Sequence, residues 1–190
     1  MHNLVIFASG TGTNAQAIID YFKTTGIAKV SLIVSNKAEA GVLNIARNEN
    51  IPSIVIDRQR FNDPELIDEI KSHTPALIVL AGFLWKIPDA LVAAFPNKIV
   101  NIHPALLPKF GGKGMYGHHV HNAVLEAGDM ESGITIHYVN EVYDSGNVIV
   151  QARCLVNKGE SAGDLAGRIH KLEHFFFPRT IEFLLANAGK

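Results

Sequence analysis

The sequence has one cysteine, one tryptophan, no long apolar run and almost no net charge, and each shortage removes a class of protein. A lone Cys154 cannot close an internal disulfide, and the apolar residues around it predict a structural thiol in a core strand of an intracellular protein. No stretch approaches the roughly 18 uninterrupted apolar residues that a membrane helix needs, and no basic segment leads into a signal-type apolar run. A cytoplasmic protein with no membrane partner is expected. The formal net charge of -1 offers no basic field to a phosphate backbone, so nucleic acid is not expected as a partner either. Internal repeats, low-complexity tracts and linkers are absent, and 190 residues can bury a sufficient core without staples. The whole of 1–190 therefore reads as one domain.

What is present is a regular alternation of strand and helix. Apolar runs at 4–8, 30–34, 53–56, 76–81 and 99–103 read as strands, separated by helical patterns that begin near Asn14 and cover 40–48, 64–72 and 88–95. The run at 76–81 has no polar interruption, which fits a sheet covered by helices on both faces. The fold class is thus α/β, a doubly wound and mostly parallel sheet. A loop rich in proline and glycine then leads to a helix at 118–127, two adjacent strands at 132–138 and 148–156, and a long helix over 161–185.

Three places carry chemistry. Ser9-Gly10-Thr11-Gly12-Thr13-Asn14 lies between a buried strand and a helix N-terminus, where glycines admit a ligand to the backbone and free N–H groups favour a phosphate. A plain turn capped by Asn14 is the alternative. The segment also satisfies G-x-G-x-x-A, but the second strand ends Val34-Ser35-Asn36-Lys37, without the acidic residue that holds an adenosine ribose; a phosphate monoester fits better than a dinucleotide. Asn101 and His103 alternate at the end of a central strand, so an amide donor and a titratable imidazole project on one face, suited to stabilising an oxyanion and moving a proton. Asp144 lies in Tyr143-Asp144-Ser145-Gly146, between the last two strands, where an aspartate is often only a turn former. His118, His119 and His121 have no carboxylate or cysteine in a zinc spacing, and no catalytic metal is expected.

Taken in order, the 9–14 loop, Ala81-Gly82-Phe83-Leu84-Trp85-Lys86-Ile87, Asn101-Ile102-His103-Pro104-Ala105-Leu106-Leu107-Pro108, Asp144-Ser145-Gly146 and Glu173-His174 resemble the phosphoribosylglycinamide formyltransferases over nearly the whole chain. The resemblance implies the formyltransferase variant of the doubly wound sheet, with a Rossmann-like nucleotide-binding half at 1–100 and a catalytic and folate-binding half at 101–190. It implies a purine-synthesis enzyme, monomer or homodimer, whose formyl donor is the cosubstrate 10-formyltetrahydrofolate and whose acceptor is glycinamide ribonucleotide. Gly12, Thr13, Asn14 and Glu173 would hold the nucleotide. Leu84, Trp85, Lys86 and Ile87 would line the pterin pocket together with Asn101 and Asp144. The implied catalytic set is Asn101, His103 and Asp144, with the oxyanion met by the Asn101 amide and a protonated His103 that Asp144 keeps charged.

The chain departs from the family pattern in three places. Leu84 and Trp85 stand where methionine and arginine are frequent, Arg58 or Arg60 would have to serve the folate tail, and 109–117 is a longer, glycine-rich loop that reads as a mobile cover. Related folate enzymes that formylate methionyl-tRNA or hydrolyse the donor carry extra domains for which 190 residues leave no room. A noncatalytic nucleotide-binding module would need only the glycine loop.

Overall fold

The computed structural model describes residues 1–187; residues 188–190, the end of the expected 1–190 domain, lie outside the described residues. Strands β1 (His2–Phe7), β2 (Ala28–Ser35), β3 (Ser53–Val55), β4 (Pro75–Leu80) and β5 (Ile99–His103) pair in parallel, and β6 (Glu131–Tyr138) pairs antiparallel with both β5 and β7 (Val148–Leu155). Together they make one seven-stranded sheet in the order β3-β2-β1-β4-β5-β6-β7. The helices are α1 (Thr13–Thr25), α2 (Gly41–Asn48), α3 (Arg58–Phe61), α4 (Pro64–Ser72), α5 (Asp89–Ala94), α6 (His118–Glu126) and α7 (Ala162–Asn187).

Alternation along the strands divides the core in two, because successive side chains leave opposite faces of the sheet. Leu4 and Ile6 pack with Ile18, Phe22, Ile169 and Phe177 of α1 and α7. Val5 and Phe7 pack on the other face with Phe61, Leu66, Ile70 and Leu91 of α3, α4 and α5. Both faces of β1 are covered, and its residues 4–7 are wholly buried; the uninterrupted apolar run is the direct cause of the doubly wound arrangement.

Two local expectations change. The stretch after β3 contains a one-turn helix, α3, capped by Asp57, whose side chain accepts from the Arg60 N–H at 2.7 Å. Cys154 lies on β7, which is an edge strand rather than a core strand, and it is only half-buried. No helix among the described residues is long and apolar enough to cross a membrane.

Candidate active site

The strand order reverses at β1, which has β2 on one side and β4 on the other, so the connections leaving β1 and β4 diverge and open a crevice at their C-terminal ends. The two connections are tied together: the Ser9 N–H donates to Gly82 O at 3.1 Å, and the Leu84 N–H donates to Ser9 Oγ at 2.9 Å. Above them lies a cleft of about 620 Å³, lined by the 9–14 loop, the segment after β4, the end of β5, the 109–117 loop and the β6–β7 connection.

The glycine-loop part of the cleft begins at Gly12, which caps α1 in the left-handed conformation at φ 83°. No side chain caps this helix. The first N–H groups of α1 thus keep their donor capacity, and the positive end of the helix dipole adds to it. Asn14 is not the cap: its Nδ2 donates instead to Glu173 Oε2 at 3.0 Å, joining α1 to α7. Burial raises the Glu173 carboxyl above its ordinary pKa, opposed by the Asn14 hydrogen bond and by His170. His121 faces the same cleft from α6, and burial, with repulsion from His170, His118 and His103, holds it down to about 4.

At the centre, Asn101 and His103 reach the cleft from alternate positions of β5, and Asp144 meets them from the β6–β7 connection. Asp144 Oδ2 lies 3.6 Å from His103 Nδ1, and Oδ1 lies 3.7 Å from His137 Nε2. The Gly112 N–H donates to Oδ2 at 2.8 Å, and His103 Nε2 lies 2.7 Å from the Phe110 carbonyl. His137, directly across from Asn101 in the β5–β6 register, has Nδ1 2.8 Å from Tyr138 O and Nε2 3.1 Å from Asn101 Nδ2. A carbonyl only accepts, so His137 carries its proton on Nδ1 and takes an N–H of Asn101 at Nε2. That fixes which way the Asn101 amide points and leaves its second N–H for a ligand.

The charges at this centre follow from its surroundings. Burial would raise the Asp144 carboxyl, but its polar neighbours, His103 and the Gly112 N–H among them, outweigh it, and the carboxyl titrates below its ordinary value. Burial lowers His103, opposed by the charge of Asp144 and the Phe110 carbonyl. The outcome is an Asp144 carboxyl favoured in its ionised form beside a His103 imidazole drawn below its ordinary pKa.

Residues 2–181 match the sequence profile of the family described as formyl transferase. The chain belongs to the formyl transferase family. It is 39% identical over 187 residues to the phosphoribosylglycinamide formyltransferase of Escherichia coli, covering 95% of this chain and 86% of that one. It is 40% identical over 185 residues to the chloroplastic phosphoribosylglycinamide formyltransferase of Arabidopsis thaliana, covering 94% of this chain. The chain spans 63% of the length of that relative and 60% of the length of its Vigna unguiculata counterpart. Among solved structures, glycinamide ribonucleotide transformylase 1 of Geobacillus kaustophilus superposes with a TM-score of 0.88 at 38% identity, covering 97% of this chain and 99% of that one.

Within this formyl transferase fold the motifs read from the sequence converge on one cleft. Gly12, Thr13, Asn14, Leu84, Trp85, Lys86, Ile87, Asn101, His103, Asp144 and Glu173 all line it. Their contributions differ. Ile87 is 3% exposed and packs into the core, and Lys86 pairs with Asp89 at 3.0 Å, which leaves the half-buried Leu84 and Trp85 to face the cleft along this segment. The two arginines after β3 differ in their surroundings: the Arg58 guanidinium lies 3.9 Å over the Trp85 ring and Arg58 lines the cleft, whereas Arg60 is engaged by Glu65 and Glu69. The cleft also crosses the boundary at residue 100, since Leu84 and Trp85 come from the first half and Glu173 from the second.

Sequence reasoning missed His137, one histidine among nine. The signal was its place in β6, two residues beyond Thr135 and on the same sheet face, in a strand that pairs with the one bearing Asn101. Among the described residues no group of three or more His, Cys, Asp or Glu is placed to hold a metal ion.

Proposed function

We propose that this chain transfers the formyl group of 10-formyltetrahydrofolate to the amine of glycinamide ribonucleotide, giving the formylated nucleotide and tetrahydrofolate for purine synthesis in the cytoplasm. The observation that carries this reading is the meeting of Asn101, His103 and Asp144 in a cleft that also holds an uncapped helix N-terminus. That terminus suits a phosphate monoester, and Arg58 stacked on Trp85 suits an aromatic, anionic cosubstrate such as a folate. Residues 1–100 supply most of the nucleotide-binding part and residues 101–190 the catalytic part.

The chemistry follows from the central geometry. As the amine attacks the formyl carbon, negative charge grows on the formyl oxygen, and the Asn101 N–H not taken by His137 is free to donate to it. One positioned donor of this kind is typically worth about 3–4 kcal/mol. The attacking nitrogen becomes cationic and must lose a proton. His103, whose pKa burial lowers, accepts that proton, and the Asp144 carboxylate stabilises the imidazolium so formed. Because burial lowers the His103 pKa, the reaction itself supplies the proton on this reading, and Asp144 then holds it. The same proton then passes to the departing folate nitrogen, which lets the carbon–nitrogen bond break.

Spectroscopic assay of donor deformylation with and without glycinamide ribonucleotide tests the reading. Deformylation that requires the nucleotide is expected. Equal rates with water alone would indicate a hydrolase, and binding without turnover would leave a nucleotide-binding module.

A further inference from the structure

His103 and Asp144 are 41 residues apart in sequence, yet both are gripped by the backbone of one three-residue turn at 110–112. The Phe110 carbonyl faces His103 Nε2 at 2.7 Å, and the Gly112 N–H faces Asp144 Oδ2 at 2.8 Å. A carbonyl cannot donate, so Nε2 must carry the ring proton. Neutral imidazole has one such proton, and Nδ1 is left as the open nitrogen, 3.6 Å from the carboxylate. A proton reaching His103 therefore arrives on the atom that faces Asp144. With the opposite tautomer the lone pairs of Nε2 and of the Phe110 carbonyl would face each other at 2.7 Å.

The shape of the turn explains how it reaches both side chains. Phe110 and Gly112 have φ of 56° and 96°, so the chain reverses sharply around Gly111. Gly111 itself is not among the positive-φ residues, and alanine is compatible with its backbone. Space is the constraint: a Cβ on Gly111 would stand 2.5 Å from Leu107 Cδ2 and 3.3 Å from Asp144 Cβ. The absent side chain is what lets the turn press against Leu107 and Asp144 together. Beyond the turn, Lys113, Met115 and Tyr116 line the cleft, and Met115 N–H closes back on Gly112 O at 3.1 Å.

We propose that the 110–112 turn is a positioning element for the catalytic pair, selecting the Nε2-protonated tautomer of His103 and holding Asp144 beside its open Nδ1, with the missing Cβ of Gly111 leaving Leu107 and Asp144 in place. This rests on the formyl-transfer reading for its kinetic consequence, while the tautomer it assigns can be observed without substrate.

The test combines nitrogen-15 NMR of histidine-labelled protein with kinetics. In the unaltered protein the His103 signals, identified by their loss in His103→Gln, are expected to show a protonated Nε2 and a bare Nδ1. Gly111→Ala is expected to retain its fold by circular dichroism, to mix the two tautomers, and to lower kcat by about 10–10²-fold, the usual cost of misplacing reacting groups by about an ångström. The KM for glycinamide ribonucleotide should hold within about twofold, because the glycine loop is untouched. Adding Leu107→Ala removes the closest clash and is expected to restore part of kcat and of the native tautomer. A protonated Nδ1 in the unaltered protein overturns the proposal, and that measurement decides it even where Gly111→Ala does not fold. A folded Gly111→Ala protein with unchanged signals and unchanged kcat overturns it as well. Absence of formyl transfer by the unaltered protein would strike the functional reading and leave the tautomer result standing.

Discussion

Replacing Asp144 by asparagine removes one charge and changes little else. Asp144 has a φ of 51°, a left-handed conformation that asparagine adopts more readily than most residues, and an amide oxygen can still accept the Gly112 N–H. What disappears is a negative charge 3.6 Å from His103 Nδ1. Over such a distance, at an effective dielectric of about 20, a unit charge attracts an imidazolium by about 4–5 kcal/mol. At about 1.4 kcal/mol per tenfold in rate, that is on the order of 10³-fold in turnover, inside the range of about 10²–10⁴ typical of a positioned acid or base. The direction for the histidine follows from its surroundings. Burial already lowers its pKa and Asp144 is the main opposing influence, so the variant histidine must titrate lower still. NMR titration of His103 in both proteins, with kcat followed against pH, is the assay. Nucleotide KM should scarcely change, since Asn14 and Glu173 are untouched. Identical titration with turnover reduced less than about threefold, far below that range, would refute the role assigned to the carboxylate and leave Asp144 a turn residue.

The space where a Cβ on Gly12 would stand is filled by protein: Val42 Cβ lies 2.8 Å away and Ile45 Cδ1 2.9 Å away. Gly12→Ala should therefore lose about 2–4 kcal/mol in urea unfolding from left-handed strain and overpacking, whereas Gly10→Ala, with open space, should stay within about 0.5 kcal/mol; equal stability of the two would contradict this. Trp85 lies in the cleft under Arg58, so saturating 5-formyltetrahydrofolate should shift its emission, the only tryptophan signal in the chain; an unmoved spectrum would place the folate elsewhere. Glu173 has a raised pKa in the fold, so its protonated state favours the native form at low pH and that contribution is lost as pH rises through the folded value. Glu173→Gln should accordingly match the unaltered protein in acid and gain melting temperature relative to it toward neutral pH, with weaker nucleotide binding; a constant difference across pH would show that burial does not govern this carboxyl.

The elements and the cleft differ in how far they could be read from sequence. β1 and β4 are legible because a parallel strand buried on both faces has to be apolar throughout, and α1 is legible because a helix covered on one side repeats its apolar residues at Ala15, Ile18, Ile19 and Phe22. α3 escaped because one turn is too short to show a period; only the Asp57 cap marks it. The edge position of β7 escaped because pairing order is a property of the whole sheet, and the apolar residues around Cys154 look alike at an edge and at the centre.

By itself the sequence determined the α/β alternation, the glycine-rich start of α1 and, through motifs in a fixed order, the candidate residues Asn101, His103, Asp144 and Glu173. These are local properties, set by side-chain period, by turn chemistry and by residue identity. Tertiary structure alone decided what those residues can do. The antiparallel pairing of β5 with β6 set His137 against Asn101, the β6–β7 connection brought Asp144 to His103, and the turn at 110–112 bound both members of that pair. Burial then lowered the His103 pKa while the neighbours of Asp144 drew its carboxyl below the ordinary value. The physical reason is that electrostatic and hydrogen-bond interactions depend on distance and solvent exposure, which no linear spacing encodes for residues tens of positions apart.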